Sequence, residues 1–215
     1  RVDVQGVTLP GLPGVLVGSD GHVAWGFTNS YGDYLDWKRE RPCGSPAMAG
    51  CARVVRHRER IAVAGGAPVD LDVEETDWGP IAHRETDGRV LALRWTAHRE
   101  GGVNLGLLRM ARARDAADAL RIADGIRIPT QNLLLADRDG AIAWRLLGLL
   151  PQRPDGCSAG ASVDTGGCAP WPVASAGHPG ITAPTSGRLW TANARVVDGQ
   201  ALRQVGVGFS LDDFG

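Results

Sequence analysis

The chain has 215 residues, 43% apolar and 22% charged, with a formal net charge of −1. That length supports one good-sized core or two small ones, and no apolar run approaches the roughly 18 residues of a membrane span. The 23 basic residues are scattered and balanced by 24 acids, and Lys38 is the sole lysine. The concentrated positive face of a nucleic-acid binder is therefore missing, and neither nucleic acid nor membrane is expected as a partner.

From the N-terminus, "GVLVG" and "HVAWGFT" read as β runs joined by Ser19-Asp20-Gly21-His22. Asp-Gly between such runs predicts a hairpin. The second run gives way to Thr28-Asn29-Ser30, Gly32-Asp33 and Asp36. A surface turn, a metal clip and the wall of an active site all fit that stretch. Further on, "RVVRHRERIAV", "PVDLDVEET" and "RVLALRWTAH" alternate as half-buried strands of an antiparallel sheet do. Residues 103–124 change to helical spacing, with Asp115 a cap between two short helices. Strands return in "QNLLLADRDGAIAWRLLG", where Arg138-Asp139-Gly140 makes a second hairpin turn. A Pro/Gly/Ser-rich excursion over 151–187 precedes a last strand, "GRLWTANARVV". The pattern is α+β, mostly antiparallel β with a short central helical pair, and 1–215 contains no linker separating two domains.

Cys43 and Cys51 bracket "GSPAMAG", and Cys157 and Cys168 bracket "SAGASVDTGG". Two local pairs around flexible loops predict two disulfides and an oxidising compartment, periplasmic or secreted. Zinc is the rival reading, but C-x-x-C and H-x₃-H spacings are absent. Arg1 is no initiator and "SLDDF" ends without a tail, so the chain reads as a processed or excised piece.

Among candidates for chemistry, "GCSAG" matches G-x-S-x-G with His178 downstream. Its flanks are neither the strand nor the helix that a nucleophile elbow at Ser158 requires. The five histidines have no ligand-spaced partners. Asn29 and Asn193 both end apolar β runs among small residues. Two amide donors converging there would stabilise an oxyanion, whereas two satisfied turns are the bland alternative. Asp33, the Leu35 carbonyl and Asp36 make an oxygen-rich arc that supplies only part of a Ca²⁺ shell. A non-enzymatic β-rich binding module stays open on these residues.

Taken in order, "LPGLPGVLVGSDGHVAWGFTNSYGDYLD", "TDWGPI", "QNLLLADRDGAIAW" with "GLLPQR", and "PTSGRLWTANARVV" cover nearly the whole chain. Together they resemble the β-chain of the penicillin acylase family of N-terminal nucleophile hydrolases. The resemblance implies part of an αββα sandwich and hydrolysis of the linear amide of small N-acyl compounds, such as β-lactam antibiotics or acyl-homoserine lactones. In the family a serine that begins the β-chain attacks, with its own α-amine as base. On the matching positions, the Asn29 backbone N–H and the Asn193 side chain would hold the oxyanion. Val17, Phe27, Thr28 and Tyr31 would line the acyl pocket. Asp33, the Leu35 carbonyl and Asp36 would bind a structural calcium ion, joined by Asp213 or else Asp212. The family's nucleophile lies upstream of the segment matching Val7–Thr28, and this chain starts at Arg1. The resemblance therefore implies a β-chain fragment that is inactive alone. Its partners would be the α-chain and the remainder of the β-chain, and exposed apolar surface would favour self-association.

Overall fold

The computed structural model describes residues 2–44, 48–154, 157 and 168–206. In chain order they form β1 (Gln5–Val7), β2 (Val17–Ser19), β3 (Val23–Asn29), β4 (Leu35–Glu40), β5 (Val55–Ile61) and β6 (Val69–Glu75). Then come β7 (Ile81–Arg84), β8 (Val90–Trp95), two 3-10 turns (Thr96–His98, Gly106–Arg112) and α1 (Ala116–Ala123). β9 (Gln131–Asp137), β10 (Ile142–Leu147), β11 (Leu150–Pro151), β12 (Val173–Ala174), β13 (Gly180–Thr182) and α2 (Gly199–Val205) complete the chain. All named strands that pair do so antiparallel, as the α+β reading expected.

The chain divides into two compact units, the first made of 1–34, 96–152 and 172–215 and the second of 35–95 and 153–171. The first holds a six-stranded sheet in the order β1-β2-β3-β9-β10-β13. Both predicted hairpin turns are present. Asp20 Oδ1 accepts the His22 and Val23 N–H groups at 2.9 and 2.8 Å. Asp137 Oδ1 likewise accepts those of Asp139 and Ala141 at 3.1 and 2.9 Å. Gly21 and Gly140 sit at φ 83° and 90°, a conformation that costs glycine little and other residues more.

Alternation along β3 and β9 builds the first core. Val23, Trp25, Leu133 and Leu135 pack with Met110, Ala119 and Ile122 from the helical stretch. The expected helical pair is a 3-10 turn followed by α1, and Asp115 caps α1 by accepting the Asp118 N–H at 2.7 Å. On the opposite side of the sheet, Trp144, Leu146, Leu150 and Val205 form a second cluster.

Two expectations need correction. Residues 187–197 contain no strand. Side chains rather than a backbone ladder tie this segment to β3, since Thr191 and Asn193 bond to Thr28 and Asn29. In the second unit, β5 and β6 form a two-stranded sheet and are largely exposed rather than half-buried. Opposed Arg56–Glu74 and Arg58–Asp72 side chains explain their alternation, which is a ladder of surface ion pairs. β8 instead sits between β4 and β7, with Val90 and Ala92 fully buried.

Both predicted disulfides are present, Cys43–Cys51 and Cys157–Cys168, each in the second unit. That unit is centred on Trp78, Trp171 and the buried polar groups Asp36 and Arg94. Each excursion that builds it leaves the first unit and returns at positions joined by a backbone hydrogen bond. Thr96 N–H donates to Tyr34 O at 3.1 Å, and Gln152 N–H to Pro172 O at 2.8 Å. Among the described residues no helix is long and apolar enough to cross a membrane.

Candidate active site

β3 runs along the core and ends at Asn29, directly opposite Gln131 on β9. The Asn29 backbone N–H donates to Asn193 Oδ1 at 2.9 Å, across 164 residues of sequence. The two asparagines singled out from the sequence are thus brought together within the first unit. Asn29 Oδ1 also accepts from Gln131 Nε2 at 2.8 Å.

The junction opens onto a cavity of about 680 Å³ whose lining includes Asn29, Asn193 and Gln131. Val17, Phe27 and Thr28 also line it, whereas Tyr31 does not. The Tyr31 carbonyl instead accepts the Tyr34 hydroxyl at 3.2 Å. Burial pushes the Tyr34 phenol well above its ordinary pKa; a hydrogen bond with Ser30 lowers it in part, and Asp33 adds to the rise. Tyr34 therefore stays a neutral donor.

Most of the remaining wall is aliphatic, from Leu9, Leu12, Leu16, Leu105, Leu108 and Ile128. None of these six was read from the sequence as a site residue. The available signal was apolar side chains on irregular backbone beside glycine and proline. Leu9, Leu105 and Leu108 are indeed 54%, 59% and 44% exposed.

Thr28 lines the cavity, but its hydroxyl is engaged elsewhere. It lies 2.9 Å from Thr191 Oγ1 and receives Asn132 Nδ2 at 3.2 Å. Asn132 was also missed, because an asparagine beside Gln131 at the start of a strand looks like an ordinary polar strand end.

The carboxylates proposed for calcium fall in different units, Asp33 in the first and Asp36 with Leu35 in the second. Asp33 is buried, and its N–H donates to Val205 O at 3.0 Å. Asp36 is also buried, and its Oδ2 accepts Trp171 Nε1 at 2.5 Å and Arg153 Nε at 2.8 Å. Both bonds fall on a single oxygen of the carboxylate. Asp212 and Asp213 lie outside the described residues. Among the described residues no group of three or more His, Cys, Asp or Glu side chains is arranged to hold a metal.

Ser158 also lies outside the described residues. His178 Nε2 is 2.5 Å from the Gly148 carbonyl, which can only accept, so this nitrogen carries the proton.

Against known proteins, the model of the family described as penicillin amidase matches residues 1–212. An acyl-homoserine lactone acylase QuiP of Pseudomonas syringae pv. syringae (strain B728a) is 30% identical over 209 residues, spanning 92% of this chain and 25% of that protein. A penicillin acylase 2 proenzyme of Pseudomonas sp. (strain SE83) is 31% identical, spanning 92% of this chain and 27% of its own length. A thermostable penicillin G acylase structure from Alcaligenes faecalis superposes with a TM-score of 0.74 at 24% identity, covering 98% of this chain and 39% of that one. The chain thus spans about a quarter of the length of these sequence relatives.

Proposed function

The chain belongs to the penicillin amidase family, and on that footing we propose that it carries the oxyanion-binding and acyl-binding parts of a hydrolase acting on linear amides. The observation behind this reading is the Asn29 backbone nitrogen 2.9 Å from Asn193 Oδ1 in the wall of the aliphatic cavity. The N–H already points at an acceptor oxygen. A half-turn of the Asn193 amide presents Nδ2 in place of Oδ1, so a substrate oxygen entering between them meets two donors. Charge developing on that oxygen is then stabilised by groups positioned before the reaction begins.

The attacking group in this reading is an N-terminal serine whose α-amine takes the proton. This reading assigns that serine to the part of the relatives' length outside these 215 residues. The substrate's acyl group occupies the cavity, whose size falls within the roughly 300–1,000 Å³ of small-molecule sites. Its wall is mainly Leu, Val and Ile with Phe27 as an aromatic contribution, which favours a flexible aliphatic acyl group. The substrates named for the relatives, acyl-homoserine lactones and penicillins, share the linear amide this chemistry needs. The two disulfides support a periplasmic or secreted location.

The test is Asn193→Ala in the full-length gene product, assayed on N-acyl amides. Loss of one oxyanion donor lowers kcat by about 10²–10³. Unchanged kcat in the folded variant would remove Asn193 from the reaction.

A further inference from the structure

Asn132 is fully enclosed, at 0% exposure, near the start of β9, just before the apolar Leu133, Leu134 and Leu135. An amide in such a place is costly unless each polar atom finds a partner, and here the partners form a connected set. Oδ1 receives Trp144 Nε1 at 3.1 Å. Nδ2 donates to Thr28 Oγ1 at 3.2 Å and to the Asn29 carbonyl at 3.1 Å. Trp144 is itself locked into the second core cluster, so the amide is anchored on a rigid side chain.

The Thr28 hydroxyl extends the set. Having accepted from Asn132, it has one proton to give, with Thr191 Oγ1 at 2.9 Å and Ala192 O at 3.3 Å within reach. Asn193 follows directly and takes the Asn29 N–H. Consecutive residues 191–193 are therefore joined to the end of β3 by contacts that involve side chains. Because 187–197 joins no backbone ladder, these contacts place it against β3 together with the packing of Leu189 and Val197 on the second core cluster.

We infer that Asn132, acting through the Thr28 hydroxyl, is a positioning residue that sets where the Asn29 N–H and the Asn193 amide stand relative to one another. The inference rests on the proposed function, in which those two groups share one oxygen. Oxyanion stabilisation tolerates little displacement: an error of about 1 Å costs up to about 10²-fold in rate. A leucine would fill the Asn132 site with less desolvation cost, but it would cut both donated bonds.

The experiment uses the full-length gene product with Thr28→Val, Thr28→Ser, Asn132→Ala and the Thr28→Val/Asn132→Ala double variant. Thr28→Val keeps the shape and removes only the hydroxyl, so it guards against misfolding of the more disruptive Asn132→Ala. On an N-acyl amide substrate, kcat falls about 10- to 100-fold in both single variants with KM within about threefold. Thr28→Ser, which keeps the hydroxyl, recovers most of the kcat lost in Thr28→Val. The double variant falls little further than either single one, because both cut the same relay. Hydrogen exchange of the Asn29 amide, read in the same proteins, is faster in Thr28→Val and Asn132→Ala.

Wild-type kcat in folded Thr28→Val, or a raised KM with kcat unchanged, overturns the inference. Should the wild-type protein hydrolyse no N-acyl amide, the proposed function fails, and exchange at Asn29 then decides the positioning alone. Unchanged exchange in Thr28→Val overturns it, and accelerated exchange sustains it.

Discussion

Replacing Asp36 by Asn removes one negative charge from the interior of the second unit while keeping the side chain's shape. Asp36 is 4% exposed, and the Arg153 side chain that donates to it is 8% exposed. The same oxygen receives the Trp171 indole, and the Arg153 guanidinium lies 5.1 Å from the centre of that ring. Water can replace little of what the carboxylate supplies. Removing one member of a buried pair costs about 3–5 kcal/mol, because the other charge stays desolvated. For a chain of this size, about 2–4 °C per kcal/mol turns that loss into a fall of about 6–20 °C in Tm. Urea and thermal unfolding followed by circular dichroism, both in excess EDTA, measure the ion pair without any contribution from a bound cation. Adding calcium back then separates the two roles, since a calcium ligand at Asp36 gives the wild type a further gain that Asp36→Asn lacks. A loss below about 1 kcal/mol in EDTA, the range of exposed pairs, would refute the argument that this carboxylate holds the unit's interior together.

Reducing Cys43–Cys51 and Cys157–Cys168, with sequence separations of 8 and 11, lowers stability by about 2–3 kcal/mol each in the loop-entropy treatment; urea midpoints with and without reductant measure it. Burial lowers the His178 pKa below its ordinary value; the Gly148 carbonyl and Asp124 oppose the shift, and Arg145 and Arg127 add to it. Its contribution to stability is therefore complete above the unfolded histidine value near 6.5 and is lost as pH falls through the lower folded value. His178→Gln should flatten that part of the urea-midpoint profile, and an identical profile would remove His178 as the cause. Val103, Leu105 and Trp190 are 61%, 59% and 78% exposed, so the 215-residue chain by itself is expected to self-associate. Sedimentation velocity that finds a monomer at all concentrations would contradict this.

Local signals carried much of the fold. Asp20-Gly21 and Asp139-Gly140 mark the turns of two hairpins, in which the side chains of Asp20 and Asp137 accept the turn's N–H groups and the glycine takes the positive φ. Asp115 before an alanine-rich run marks the start of α1 in the same local way. Long-range features were less legible. "RVVRHRERIAV" alternates because its arginines face acids across a solvated hairpin, and alternation alone cannot distinguish that from a buried face. "GRLWTANARVV" has the composition of a strand, yet its polar side chains take the place of ladder bonds. Of the candidate site, the asparagine pair and part of the cavity wall were readable from the matching motifs. The leucines of 9–16 and 105–108 and the amide of Asn132 acquire meaning only when distant segments meet.

The paired ends at Tyr34 with Thr96, and at Gln152 with Pro172, bear on how such a chain tolerates change. A segment whose two ends are stapled together by one hydrogen bond can grow, shrink or be exchanged without shifting the register of β3 on β9. Added length there costs little, since closure entropy rises by only about 0.6 kcal/mol per doubling. Descendants of one ancestor can therefore diversify these two detours widely while inheriting the same strand-end chemistry.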